Sequence, residues 1–180
     1  MLQRRLTELF RWVDPGPDSS HLVSDTAAWW RDPAVLAAVG PALAGLFPGA
    51  HPTVVIAPET TGLLLGPLVA VAAGAGFVPA YKDGGERRRV GAMRWGETLP
   101  DHRGQRLRLG VDGDRLEPGD RVLIVDDWVD TGAQVEALRR VVAETGAQVV
   151  GAAAVVATCP PGTAARLGLR ALLTGESLPG

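Results

Sequence analysis

VLIVDDWVDTGAQ, Val122 to Gln134, joins an apolar run to an adjacent pair of carboxylates, Asp126 and Asp127, and then to a third, Asp130, beside Thr131 and Gly132. Like charges set this close repel one another, so the arrangement costs stability unless cations or hydroxyl groups meet it. Val122 to Val125 reads as a buried strand, which places Asp126 and Asp127 at its carboxyl end, where open α/β sheets present their ligand crevice. Asp130 to Gln134 then turns into a helix. Backbone N–H groups at such a turn, together with the positive end of the helix, make an anion site, and Gly132 lets the backbone approach closely. Acids able to hold hydroxyls or a metal therefore stand beside a phosphate cradle. A sugar phosphate satisfies both halves.

On either side of this stretch the chain alternates helix and strand. Helices are expected over Leu2 to Trp12, Pro33 to Phe47, Thr61 to Ala73, Ala133 to Thr145 and Gly162 to Leu167. Strands are expected over Thr53 to Ala57, Phe77 to Ala80, Arg106 to Leu109, Arg121 to Val125, Gln148 to Ala157 and Leu169 to Leu173, mostly as continuous apolar runs that imply cover on both faces. The pattern predicts a doubly wound α/β domain with a parallel sheet flanked by helices. Residues 1–50 form a largely helical N-terminal segment, and residues 82–105, rich in glycine and arginine with little apolar periodicity, read as a long mobile loop placed to act as a lid.

Bulk properties narrow the function classes. A chain of 180 residues suits a single domain spanning 1–180, and a net charge of -2 gives no ground for bulk nucleic-acid binding. Cys159 is the only cysteine, so no intrachain disulfide is possible, a cysteine zinc site is disfavoured, and a reducing, cytoplasmic location is expected. The N-terminus lacks the uninterrupted apolar stretch of a secretory signal. Thr60 to Tyr81 carries no charge over a length that would span a bilayer, but Pro67, Pro79 and the Gly74-Ala75-Gly76 break favour a buried helix followed by a short strand, with no membrane partner. The P-loop pattern is absent, the only lysine being Lys82, and a receiver domain would carry its acids near the first strand.

Strand, paired acids and Thr-Gly loop together resemble the signature of the type I phosphoribosyltransferases, and the resemblance to their adenine phosphoribosyltransferase branch runs from about residue 14 to the C-terminus. Ser24-Asp25 with Asp32-Pro33, Ile56 to Gly62, Tyr81 to Gly84, and Leu116 to Val122 all fall where that branch has its own motifs. The resemblance implies an enzyme that moves the 5-phosphoribosyl group of phosphoribosyl diphosphate (PRPP) to a purine-like nucleobase. Carried over, Asp126 and Asp127 hold the ribose hydroxyls, and Asp130, Thr131, Gly132, Ala133 and Gln134 hold the 5-phosphate. Glu59, Thr60, Thr61, Gly62 and Lys82 meet the diphosphate, with Mg²⁺ held through the diphosphate rather than by an assigned protein ligand. Leu22 and Val23 meet the base in the hood formed by the N-terminal segment. Glu59 and Asp130 are the catalytic candidates, Asp130 because it resembles the acid that lies near N7 of the base in the hypoxanthine-guanine branch. The family also implies a homodimer.

Several positions depart from the family. Thr61 and Ser24 stand where it has arginines, Val23 where it has an aromatic residue, and Gln134 where it has Thr or Ser. A second reading therefore stays open: a regulatory protein on the same fold that binds PRPP or a nucleotide with little or no turnover. Among the other conspicuous residues, Trp29 and Trp30 read as core or subunit contacts, Trp128 as packing, and Cys159 as a small buried residue. Arg87, Arg88 and Arg89 read as a solvated run or a lid cluster, while His21, His51 and His102 show no metal spacing.

Overall fold

The computed structural model describes residues 1–17, 22–84, 91–99 and 106–179. In chain order its elements are α1 (Leu2–Leu9), β1 (Arg11–Val13), β2 (Val23–Asp25), α2 (Ala27–Arg31), α3 (Pro33–Ala44), β3 (Val54–Pro58) and α4 (Gly62–Ala73). There follow β4 (Gly76–Lys82), β5 (Met93–Glu97), β6 (Arg108–Asp112), β7 (Arg121–Val129), α5 (Ala133–Ala143), β8 (Gln148–Ala157), α6 (Pro161–Leu167) and β9 (Leu169–Thr174).

β7 shows why the sheet's strands are apolar throughout. Leu123 and Val125 enter one core cluster with Val39 of α3 and Leu65 and Val69 of α4, while Val122 and Ile124 enter a second with Leu138 and Val141 of α5. Successive residues thus bury on opposite faces, so no polar side is needed. The sheet has seven strands in the order β5-β6-β4-β3-β7-β8-β9. β4, β3, β7, β8 and β9 run parallel, and β6 and β5 join antiparallel at one edge.

Three expectations about the sheet and its loops are corrected. First, residues 82–105 are not one irregular loop, because Lys82 closes β4 and Met93 to Glu97 form β5 as a hairpin partner of β6. Gly96 permits this: a Cβ there would meet the backbone of Ala137 in α5. Arg87 to Arg89 and His102 lie outside the described residues, as does His21. Second, the strand expected at Arg106 to Leu109 runs instead from Arg108 to Asp112. Third, β7 does not stop at Val125. β8 pairs with it as far as Val129↔Ala157, whereas β3 pairs with it only to Ile56↔Ile124. Asp126 and Asp127 therefore lie where β7 is still laddered to β8 but its pairing with β3 has stopped.

The N-terminal segment is less helical than expected: α1 ends at Leu9, and Trp12 lies in β1, paired with Ser24 of β2. Asp32 caps α3, its Oδ1 accepting N–H bonds from Ala34 at 2.8 Å and Val35 at 3.2 Å, and its Oδ2 lies 2.6 Å from Arg5 of α1. The Arg5 guanidinium, followed by the backbone donors, holds the Asp32 carboxyl below its ordinary value, against the opposing effect of burial. Among the described residues no helix is long and apolar enough to cross a membrane.

Candidate active site

The connection from β3 to β4 passes through α4 on one face of the sheet, and that from β7 to β8 through α5 on the other. β3 and β7 are neighbours, so the chain diverges between them and leaves a crevice at their carboxyl ends. Two loops flank it: residues 59–61 leading into α4 and residues 130–132 leading into α5. These two loops carry the residues from which the sequence predicts the diphosphate and phosphate contacts.

On the β3 side, the Glu59 N–H donates to the Ala80 carbonyl at 2.8 Å, and the Lys82 backbone N–H donates to Glu59 Oε2 at 2.8 Å. The Glu59–Thr60 peptide is cis. Thr60 is exposed, Thr61 half-buried, and Gly62 buried against Ala57 and Pro58, where a Cβ would come within 3.3 and 3.1 Å of their side chains. On the β7 side, Asp126 is 6% exposed and its Oδ1 accepts the Asp127 N–H at 3.0 Å. Burial pushes the Asp126 carboxyl well above its ordinary value, the neighbouring Asp127 charge adds to this, and the Lys82 charge pulls the other way. Glu59, Lys82 and Asp126 thus converge at the ends of three adjacent strands.

The loop into α5 closes around a cavity of about 110 Å³ lined by Asp126 and residues 128–135. The first-turn residues of α5, Ala133 to Val135, whose N–H groups no intrahelical carbonyl can meet, are part of this lining. Gly132 sits there at φ 76°, and a Cβ on it would collide with Leu167 of α6 and lie 3.2 Å from Thr163 Cγ2. The glycine is required by its left-handed backbone and by α6 behind it, a different reason from the close ligand approach expected from sequence. Gln134 Oε1 is buried without a hydrogen-bond partner among the described residues. Turned about its amide, the same group offers two N–H donors to an anion.

Asp130 is joined to a residue that the sequence reading missed. Its Oδ1 accepts from the Thr158 hydroxyl at 3.0 Å, and the Trp128 indole N–H donates to the same hydroxyl oxygen at 3.1 Å. Trp128 is also part of an aromatic cluster, with ring centroids 6.0 Å from Phe10 and 6.2 Å from Trp12. Trp29 is fully buried in the core, its indole donating to the Leu6 carbonyl at 2.8 Å. Leu22 and Val23 are 54% and 43% exposed and lie outside the lining of the loop cavity, Val23 on β2 opposite Val13. β2 pairs with β1, whose Trp12 ring lies edge-on to that of Trp128. Among the described residues no cluster of three or more His, Cys, Asp or Glu suits a metal ion.

Comparison with known proteins places this geometry in a family. The phosphoribosyl transferase domain model matches residues 31–164, a span that includes both loops and the acid pair but begins after Leu22 and Val23. Adenine phosphoribosyltransferase of Myxococcus xanthus (strain DK1622) is 34% identical over 151 residues, covering 81% of this chain and 77% of that protein. The enzyme of the same name from Desulfitobacterium hafniense (strain Y51) is 33% identical over 141 residues, 78% of this chain and 79% of that one. The crystal structure of adenine phosphoribosyltransferase from Rhodothermus marinus has a TM-score of 0.80 at 26% identity, covering 96% of this chain and 98% of that chain. The Leishmania donovani structure has a TM-score of 0.82 at 21% identity, covering 99% and 81%, and speaks for the fold alone.

Proposed function

The chain belongs to the phosphoribosyltransferase family, and from that premise we propose that it transfers the 5-phosphoribosyl group of PRPP to a purine-like base, adenine first, releasing diphosphate and a nucleoside monophosphate. The observation that carries this is the buried Asp126 beside Asp127 on β7, past the end of its pairing with β3, adjoining the α5 loop and facing the loop that holds Glu59. Burial and the Asp127 charge disfavour a solitary anion at Asp126, so the pair favours partners that donate hydrogen bonds or carry positive charge. Vicinal ribose hydroxyls are such partners.

In this reading the loop of Asp130 to Gln134 holds the 5-phosphate through its backbone N–H groups. Asp126 and Asp127 accept hydrogen bonds from the ribose hydroxyls and so fix the sugar, while Thr60, Thr61, Gly62 and Lys82, steadied by Glu59, receive the diphosphate. A ring nitrogen of the base attacks the anomeric carbon as the bond to diphosphate breaks, its electron pair leaving with the diphosphate. Asp130 accepts the proton that the base must lose. Mg²⁺, held at the diphosphate beside Thr60, Thr61 and Lys82, would supply charge neutralisation for the leaving group. The protein's share is positioning and exclusion of water, because the sugar passes through an oxocarbenium-like state that water would trap. The proposed form is a cytoplasmic homodimer.

A regulatory reading, binding without efficient turnover, is favoured by one feature: Thr61 supplies no positive charge in the diphosphate loop. A nucleobase panel with PRPP and Mg²⁺, followed by diphosphate release, separates the two. Release with adenine or another purine supports the enzyme. PRPP binding with no release on any base supports the regulator.

A further inference from the structure

Thr158 is exposed, immediately follows β8, and is anchored from three directions. Its backbone N–H donates to the Val129 carbonyl at 3.0 Å, continuing the ladder between β8 and β7. Its methyl faces Gly175, where an added Cβ would stand 3.2 Å from Thr158 Cγ2, so the C-terminal segment packs against that side of the residue. The hydroxyl is thereby left facing the site. There its oxygen accepts the Trp128 indole N–H at 3.1 Å and its proton goes to Asp130 Oδ1 at 3.0 Å. The indole N–H can only donate and a carboxylate oxygen can only accept, so the chain runs from Trp128 through Thr158 to Asp130.

Resting on the reading of Asp130 given above, we propose that Thr158 is a positioning residue that holds the Asp130 carboxylate and the Trp128 ring in one geometry at the base end of the site. One oxygen of Asp130 is engaged by Thr158, which leaves the other to meet the base. A single hydroxyl also sets the ring that lines the cavity between the acid pair and the phosphate loop. Valine at this position keeps the shape and the backbone bond but breaks both hydroxyl contacts, whereas serine keeps the contacts and removes the methyl.

The test is steady-state kinetics with PRPP, Mg²⁺ and the preferred base for wild type, Thr158→Val, Thr158→Ser, Asp130→Asn and Thr158→Val/Asp130→Asn. Thr158→Val should lower kcat about tenfold, the scale of one lost hydrogen bond to a charged group, with KM for PRPP unchanged. Thr158→Ser should restore most of the rate. In the Asp130→Asn background the valine should cost little more, because the two residues act as one unit. In ¹⁵N-tryptophan-labelled protein, the indole N–H resonance that Trp128→Phe removes should move in Thr158→Val and stay in place in Thr158→Ser. An unmoved resonance overturns the contact itself. Wild-type kcat in Thr158→Val, or an equal loss in both backgrounds, overturns the proposal while leaving Asp130 intact. Full activity in Asp130→Asn instead overturns the parent reading of Asp130, and this inference with it.

Discussion

Burial leaves Asp126 6% exposed next to Asp127, and both burial and the neighbouring charge disfavour its ionisation. Its folded-state pKa therefore lies above the unfolded one. Below the unfolded carboxylate range, near about 3.9, it costs the fold nothing through charge, and the penalty grows as pH rises through the folded value. Asp126→Asn should accordingly raise the melting temperature of the ligand-free protein at neutral pH, by roughly 2–4 °C for each kcal/mol recovered, with the gain fading toward acid pH. Thermal melts across pH check this, and a lower melting temperature at neutral pH would contradict it. Such a trade of stability for binding is common at functional sites. Gly132 makes the opposite case: Gly132→Ala places a side chain at φ 76° and against Leu167, so it should cost about 1–3 kcal/mol in denaturant unfolding and weaken nucleoside monophosphate binding. Undiminished stability and affinity would show that α6 yields and that the phosphate lies elsewhere. The acid pair and the glycine are legible in the sequence because charge repulsion and Thr-Gly punctuation need explaining wherever they occur. Thr158 is not legible, since one hydroxyl after an apolar strand makes no pattern until β7 and β8 are laid side by side.

Among the elements, β3, β7 and β8 are readable because burial on two faces produces unbroken apolar runs. β5 is not readable for the converse reason. It is an edge strand with Arg94 and Glu97 exposed and Trp95 lying under the Arg108 guanidinium at 5.2 Å, so nothing apolar repeats along it. The three-residue strands β1 and β2 are too short to carry a period at all. Strand ends are the other weakness, since β7 runs past its apolar residues only because β8 remains beside it. Helix α3 offers a test at this scale. Asp32 caps it and pairs with Arg5, and its lowered folded-state pKa gives stability that is present above the unfolded carboxylate value and lost as pH falls through the folded one. Asp32→Ala should lower the melting temperature by several degrees at pH 7, with the difference narrowing as the carboxyl protonates in acid. A deficit that stays constant across pH would assign the loss to packing rather than to the charged cap.

At the scale of the whole molecule, α4 is apolar all round, yet Leu64 and Val71 are 54% and 85% exposed and Pro67 between them is exposed as well. Spacings of three and four residues put these on one helix face, a suitable patch for the proposed second copy of the chain. Sedimentation velocity should show a dimer for wild type and a monomer for Val71→Glu, whereas a wild-type monomer would remove the dimer from the account. The switch point between β3 and β7 is what turns one sheet into a binding crevice, and the assignment of ribose phosphate to that crevice is the claim on which the rest depends. Calorimetric titration of PRPP with Mg²⁺ into wild type and Asp126→Asn/Asp127→Asn tests it most directly. Wild type should bind, and the folded double variant should lose about 100-fold or more in affinity, the scale of two charge-assisted hydrogen bonds. Equal affinity in the two proteins would contradict it.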